Sequence, residues 1–123
     1  MRKRRRRLRF DGREFVWTAR IGHAGQSDGT CRRVVLVRVT DAAAPGGRAL
    51  VADLVSASGP GPWGYCVTDT AHPTPRDVRL LVEHALSAGW DPTVRGAPLV
   101  LTAGDGDPGL PGFRLPADGN SPG

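Results

Sequence analysis

The feature that most constrains the fold is the dipeptide Asp11-Gly12, which stands between two stretches of alternating apolar and charged residues. Asp-Gly in this setting is typical of a two-residue type I′ turn in a β-hairpin. Such a turn pairs Leu8 with Phe15 and Arg9 with Glu14. The pairing places apolar side chains on one face and opposite charges on the other, so each pair supports the same register. The sequence therefore predicts a hairpin here.

Strand periodicity continues beyond the hairpin. From Phe15 onward the alternation places Trp17, Ala19 and Ile21 on the inner face. Later stretches rich in β-branched residues and bounded by Gly and Pro predict further strands over residues 32–40, 48–55 and 98–102. Because the links between neighbouring strands are short, we expect an antiparallel meander.

The best-specified element is a helix. Thr74 and Asp77 stand three residues apart, as in a capping box, and the proline after Thr74 suits the first helical position. Gly89 stands where a glycine commonly ends a helix, which leaves Trp90 to fold back on the last turn. We predict a helix over 75–88. Its buried stripe, spaced i, i+3, i+4 and i+7, comprises Val78, Leu81, Val82, Ala85 and Leu86.

These elements predict a single α+β domain, in which one helix packs across a face of a four- or five-stranded antiparallel sheet. We expect residues 1–7 to form an arginine-rich arm and residues 8–103 the domain. Residues 104–123 are rich in Gly, Pro and Asp, which favours disorder. The apolar positions in that tail that could dock on the body are Leu110, Phe113 and Leu115.

The arginine-rich start suggests one function. Residues 2–9 carry seven positive charges, whereas ten basic and 12 acidic residues occupy the rest of the chain. A dense cationic arm binds phosphate backbones non-specifically, and its contacts would come from Arg2, Lys3, Arg4, Arg5, Arg6 and Arg7. Two observations compete with this hypothesis. The rest of the chain has no second basic segment, and arginines on an edge strand also discourage aggregation.

Chemistry-bearing residues are sparse and scattered. His23, Cys31, Cys66 and His72 are the types of residue that bind zinc, but none has the close spacing of a metal site. Cys66 with His72 and Asp69 would supply a nucleophile, a base and an orienting carboxylate, yet Cys66 is more typical of a small buried residue. We therefore expect free thiols, no metal, no cofactor and no enzymatic activity.

Two regions offer surfaces for a partner. The loop over 56–73 is long for a compact domain, so we expect a short strand near its residues 65–67 and partner contacts from Trp63, Tyr65, Asp69 and His72. The outward-facing strand residues Val34, Leu36, Val51 and Val55 would leave a second apolar patch. A non-enzymatic protein-binding module, of immunity or accessory type, is the function that these features favour, and a nucleic-acid-associated protein is the alternative.

The helix and its exit, with the pattern T-P-x-x-V followed by A-L-x-x-G-W-D-P, resemble a segment of small bacterial proteins of actinomycete type to which no activity is assigned. The shared positions are capping and packing residues, so the resemblance implies a fold and carries over no functional residue. No apolar run reaches the roughly 18 residues of a membrane helix, and the basic start is not followed by the apolar stretch of a signal peptide. We expect a cytoplasmic protein.

Overall fold

The computed structural model describes residues 5–25, 31–56 and 72–116. Within these ranges the chain forms one sheet and one α-helix, so the α+β prediction is confirmed. The short strand expected near residues 65–67 lies outside the described residues. The strands are β1 (Arg5–Phe10), β2 (Arg13–Gly25), β3 (Cys31–Asp41), β4 (Leu50–Ser56), β5 (Leu99–Leu101) and β6 (Phe113–Arg114), and the helix is α1 (Pro75–Ser87).

The predicted hairpin is confirmed. Leu8 pairs with Phe15 and Arg9 with Glu14 across the β1–β2 turn. Asp11 and Gly12 have φ values of 53° and 75°, the left-handed conformation that a type I′ turn requires at both central positions. The register continues to the start of β1, where Arg5 opposes Thr18. Residues 5–7, expected in the arm, therefore belong to the sheet.

The sheet has the order β1-β2-β3-β4-β5, and β6 pairs with the end of β4. The first four strands form the expected antiparallel meander, but β5 runs parallel to β4. The antiparallel prediction was wrong for β5 because α1 lies between β4 and β5 in the chain. A helix that crosses over the sheet returns the next strand in the direction of the one before it.

The helix begins and ends as its capping residues predict. Thr74 N–H donates to Asp77 Oδ2 at 2.9 Å, and Asp77 N–H donates to Thr74 Oγ1 at 3.2 Å, which completes the capping box. At the other end Gly89 has a φ of 102°, and the N–H of Trp90 donates to the carbonyl of Ala85 at 2.9 Å. This is the Schellman arrangement, and it turns the chain back onto the last helical turn.

The core lies between α1 and one face of the sheet. The predicted helix positions Val78, Leu81, Val82 and Ala85 are buried against sheet residues that include Val35, Val37, Val39, Leu50 and Leu54. Trp90 is buried as well. Its ring lies 5.9 Å from that of Phe15, and its Nε1–H donates to the carbonyl of Arg48 at 2.9 Å.

The chain after residue 103 folds onto the body through residue 116. A short 3-10 turn covers Ala103–Asp105, and β6 then adds to β4. Leu110, Phe113 and Leu115 are buried in the core, so their expected docking is confirmed. The disorder expected from composition was wrong for residues 104–116, because three apolar anchors hold this Gly- and Pro-rich segment against the sheet.

Candidate partner-binding surface

The strand alternation divides the sheet into two faces, one of which carries no described helix. Side chains of paired residues share a face, so the registers of all six strands define its membership. We call it the helix-free face. Its main residues are Arg5, Arg7, Arg9, Glu14, Val16, Thr18, Arg20, Val34, Leu36, Arg38, Val51, Asp53, Val55, Val100 and Arg114.

Arginine dominates the charge of this face. Among the residues whose side chains the structure describes, six arginines from four strands lie on it, against the two carboxylates of Glu14 and Asp53. All six are exposed. The absence of a further basic region, inferred from the linear sequence, was therefore wrong in three dimensions: the cross-strand registers bring Arg20, Arg38 and Arg114 to the face that already holds the odd-numbered arginines of β1.

The rows of the sheet show how the charges are spaced. One row runs from Arg5 through Thr18 and Arg38 to Val51, and a second runs from Arg20 through Leu36 to Asp53. Neighbouring strands lie about 4.8 Å apart, which separates the backbones of Arg5 and Arg38 by roughly 10 Å. Uncharged residues thus stand beside the arginines in these rows, so the charges are spread across the face.

Apolar side chains occupy the middle of the face. Leu36 is 36% exposed and Val100 is 53% exposed, while Val16, Val51 and Val55 are half-buried. The expected apolar patch is therefore present, although Val34 is buried. Apolar residues surrounded by arginine make up a composition that is common in protein interfaces.

Few of the charges on this face are neutralised within the part of the chain that the structure describes. Arg7 donates to Glu14 Oε2 at 3.0 Å across the hairpin. Within residues 5–25, 31–56 and 72–116, the other five arginines of the face form no ion pair. Their charge is available to an external anion.

Asp53 is the unusual acid of the face. It is half-buried beside Leu36 on the neighbouring strand, and burial raises the pKa of its carboxyl above the usual range. It makes no ion pair with any residue that the structure describes. Folding therefore destabilises the ionised form of Asp53, which marks the middle of the face as partly desolvated.

Arg6, the even-numbered arginine of β1, lies on the covered face. Arg6 lies over the ring of Trp17, 5.5 Å from its centroid, as the extended hairpin register implies. It also lies near His72. Burial lowers the pKa of that ring, and the charges of Arg6 and Arg33 lower it further, so His72 is neutral at pH 7.

Most of the other predicted site residues lie outside the described ranges. The predicted site residues that lie outside the described ranges are Arg2, Lys3, Arg4, Trp63, Tyr65 and Asp69. His72 is the described member of the predicted loop set, and the charges that act on it are those of Arg6 and Arg33, which the strand registers place on the covered face. In the described ranges, no three His, Cys, Asp or Glu side chains are grouped to hold a metal ion.

Sequence reasoning missed Arg20, Arg38 and Arg114 as members of the surface. The parity of β2, combined with the register fixed by the Asp11-Gly12 turn, could have placed Arg20 beside the arginines of β1, whereas Arg38 and Arg114 also needed the registers of β3 and β6. The sequence of each strand, read alone, does not reveal this surface, because a single arginine on the outer face of a strand is common.

Within the described ranges, the chain is a small α+β domain with a mixed sheet, one α-helix and an arginine-rich face that this helix does not cover. No helix in the described ranges is long and apolar enough to cross a membrane. In comparisons with known proteins, no family model, no curated protein and no solved structure matches the chain.

Proposed function

We propose that this chain is a non-enzymatic protein-binding module of immunity or accessory type, and that its helix-free face binds a partner protein with an acidic surface. The observation that carries the proposal is the composition of that face, in which arginines that form no ion pair with described residues share a face with exposed Leu36 and Val100. Arginine and apolar side chains together supply the charge-assisted contacts and the buried area that protein interfaces use.

Charge complementarity supports an acidic partner. Five arginines without an ion pair would repel a basic surface, and each would gain a carboxylate partner on binding an acidic one. Opposite charges on the two surfaces also speed up encounter at low ionic strength. The proposal includes a cytoplasmic location, which the free thiols expected from the spacing of Cys31 and Cys66 support.

A second candidate function is nucleic-acid binding by the same arginines. The exposed guanidinium groups favour it, since phosphates are anions that arginine binds well. Two features count against it. No aromatic side chain lies among the main residues of the helix-free face to stack on bases, and Glu14 and Asp53 would repel phosphates.

The test compares capture by two charge-reversal variants after nuclease treatment. Arg38→Glu changes an exposed arginine within the helix-free face, whereas Arg95→Glu makes the same charge change in an exposed loop outside the sheet. We expect wild type and Arg95→Glu to capture the same partner protein from the native host, and Arg38→Glu to lose it. Equal capture by all three proteins would contradict the proposal.

The nucleic-acid alternative has its own signature. If the six arginines contact phosphates, the affinity for an oligonucleotide should fall with salt at a log–log slope of roughly −4 to −5. Point substitutions suit this measurement better than truncation, because deleting residues 2–7 would remove the β1 pairing partners of Val16, Trp17 and Thr18. Tight oligonucleotide binding at physiological salt that Arg38→Glu abolishes would make this second function the main one.

A further inference from the structure

Within the described residues, the strand β1 forms one edge of the sheet. It stands at the end of the strand order and pairs, within the described residues, with β2 alone. The carbonyl of Glu14 accepts from the N–H of Ala42 on the far side of β2, so the backbone of Glu14 points away from β1. Its cross-strand partner Arg9 therefore points its own N–H and C=O away from β2, and so do Arg7 and Arg5 by alternation.

The open backbone groups and the odd-numbered arginines of β1 thus belong to the same residues. Arg5, Arg7 and Arg9 offer N–H and C=O groups along the edge while their side chains lie on the helix-free face. Of the three, Arg7 pairs with Glu14, and the other two form no ion pair with described residues. Any strand that adds to this edge meets a row of cations with a spacing of about 6.8 Å.

On the opposite side of the edge lies a groove between β1 and α1. Its volume is about 510 Å³. Apolar lining comes from Leu8, Pro75 and Leu80, and the charged lining consists of Arg9, Arg76, Arg79 and Glu83. Side chains that point toward the helix from an added strand would enter this groove, where apolar groups find apolar contacts.

We infer that this edge binds an extended segment of the partner protein as an antiparallel strand, in which acidic residues alternate with apolar ones. The inference rests on the proposed function. Residues opposite Arg5, Arg7 and Arg9 would share their face, so these positions would be acidic, and the residues between them would fill the groove beside Leu8 and Leu80.

The positive charge of β1 favours an acidic segment of another protein over two other possible occupants of the edge. These are a second copy of the chain and another segment of the same chain. A second copy of the chain would place the β1 arginines against arginines, which is repulsive. The remaining segments of this chain lack the required alternation, since residues 26–30, 57–71 and 117–123 each hold a single carboxylate and residues 1–4 hold none. An acidic segment of another protein is the complement.

The probe for this inference is a short synthetic peptide in which glutamate alternates with valine, titrated into the full chain and followed by NMR. We expect hydrogen-exchange protection of the Arg5, Arg7 and Arg9 amides on binding. A peptide of the same composition, with its glutamates in one block and its valines in another, should not protect them. Equal protection by both peptides, or binding that leaves these amides unprotected, would overturn the inference.

Peptide N-methylation tests the register without altering the protein. In antiparallel pairing the glutamate amides point at β1 and the valine amides point away from it. Methylating the glutamate amides should therefore abolish binding, while methylating the valine amides should change affinity less than about twofold. Any other pattern overturns the proposed register.

Charge reversal on the protein separates this inference from the proposed function. Arg7→Glu should weaken peptide binding by at least about fivefold, Arg7→Lys should restore most of it, and Arg38→Glu should have little effect because its strand is not at the edge.

If no peptide binds while Arg38→Glu still loses the captured partner, the inference fails and the proposed function stands. If the peptide binds as expected but the Arg38→Glu variant captures the partner protein as well as wild type does, the partner docks on the edge alone and the rest of the helix-free face is not its site. An oligonucleotide that protects the edge amides more strongly than the peptide overturns both.

Discussion

The two faces of this sheet are built from the same strands, yet they differ in what surrounds them. On the covered face, Val35, Val37 and Val39 are almost completely buried beneath α1. On the helix-free face the intervening residues Leu36 and Arg38 are exposed. One strand therefore serves both faces: its side chains on one face stabilise the fold, and those on the other lie on the surface that we propose binds a partner.

Ion pairing follows the same division. On the covered face Arg13 bonds to buried Asp41 at 3.0 Å, so this charge is used within the fold. On the helix-free face most arginines have no such partner among the described residues. Substitutions on the first face should therefore change stability, and substitutions on the second should change binding.

The largest expected effect is the loss of a covered-face anchor. Leu81 is completely buried under the sheet, so Leu81→Ala should lower the free energy of unfolding by about 2–5 kcal/mol. Chemical denaturation would measure it. Arg79→Ala is the control on the exposed side of the same helix, where the loss of an exposed pair with Glu83 should cost less than about 1 kcal/mol. An unchanged melting temperature for Leu81→Ala would show that α1 does not cover the sheet in this way.

Two neighbours in β3 give the sharpest contrast between the faces. Val37→Ala, at a position 1% exposed, should cost about 1.5–3 kcal/mol of unfolding free energy. Leu36→Ala removes more carbon from a position 36% exposed, yet it should cost less than Val37→Ala and should instead weaken partner capture. If Leu36→Ala proves the more destabilising of the two, the helix-free face is covered in the folded protein.

The next prediction concerns the Asp11-Gly12 turn, whose register sets the face on which each side chain of β1 and β2 lies. Gly12 has a φ of 75°, where a β-branched side chain is strained, so Gly12→Val should cost about 1–2 kcal/mol. Gly12→Asn, which tolerates this conformation, should cost clearly less. Thermal unfolding of the two variants makes the comparison, and equal losses would indicate that side-chain size rather than backbone conformation matters there.

The smallest effect concerns Asp53 on the helix-free face. Burial raises its pKa in the folded state, so the ionised carboxylate destabilises the fold at neutral pH, and this cost disappears below the unfolded value of about 3.8, where the group is protonated in both states. Asp53→Asn should therefore stabilise the protein slightly at pH 7 and not at pH 3. Because the carboxylate keeps much of its water, we expect a gain of less than about 1 kcal/mol. A variant less stable than wild type at pH 7 would reveal a favourable partner of Asp53.

The hairpin register and the limits of α1 follow from short-range physics. A turn with two positive φ values selects Asp-Gly, and a helix end selects Thr, Asp and Gly, because each of these residues satisfies a local backbone requirement. Interactions that span only a few residues are visible in the sequence itself. Leu8 opposite Phe15, and Trp90 folded onto the last helical turn, could therefore be predicted.

The parallel direction of β5, the docking of residues 104–116 and the sum of the arginines on one face depended on tertiary structure. Each arises from residues far apart in the chain: α1 carries the chain across the sheet to β5, buried Leu110 and Phe113 hold a segment whose composition favours disorder, and the β1–β2 and β2–β3 registers bring Arg20 and Arg38 beside the arginines of β1. Local preferences determine the strands and the helix, but the surface they form depends on how packing aligns them, and the sequence alone does not display that alignment.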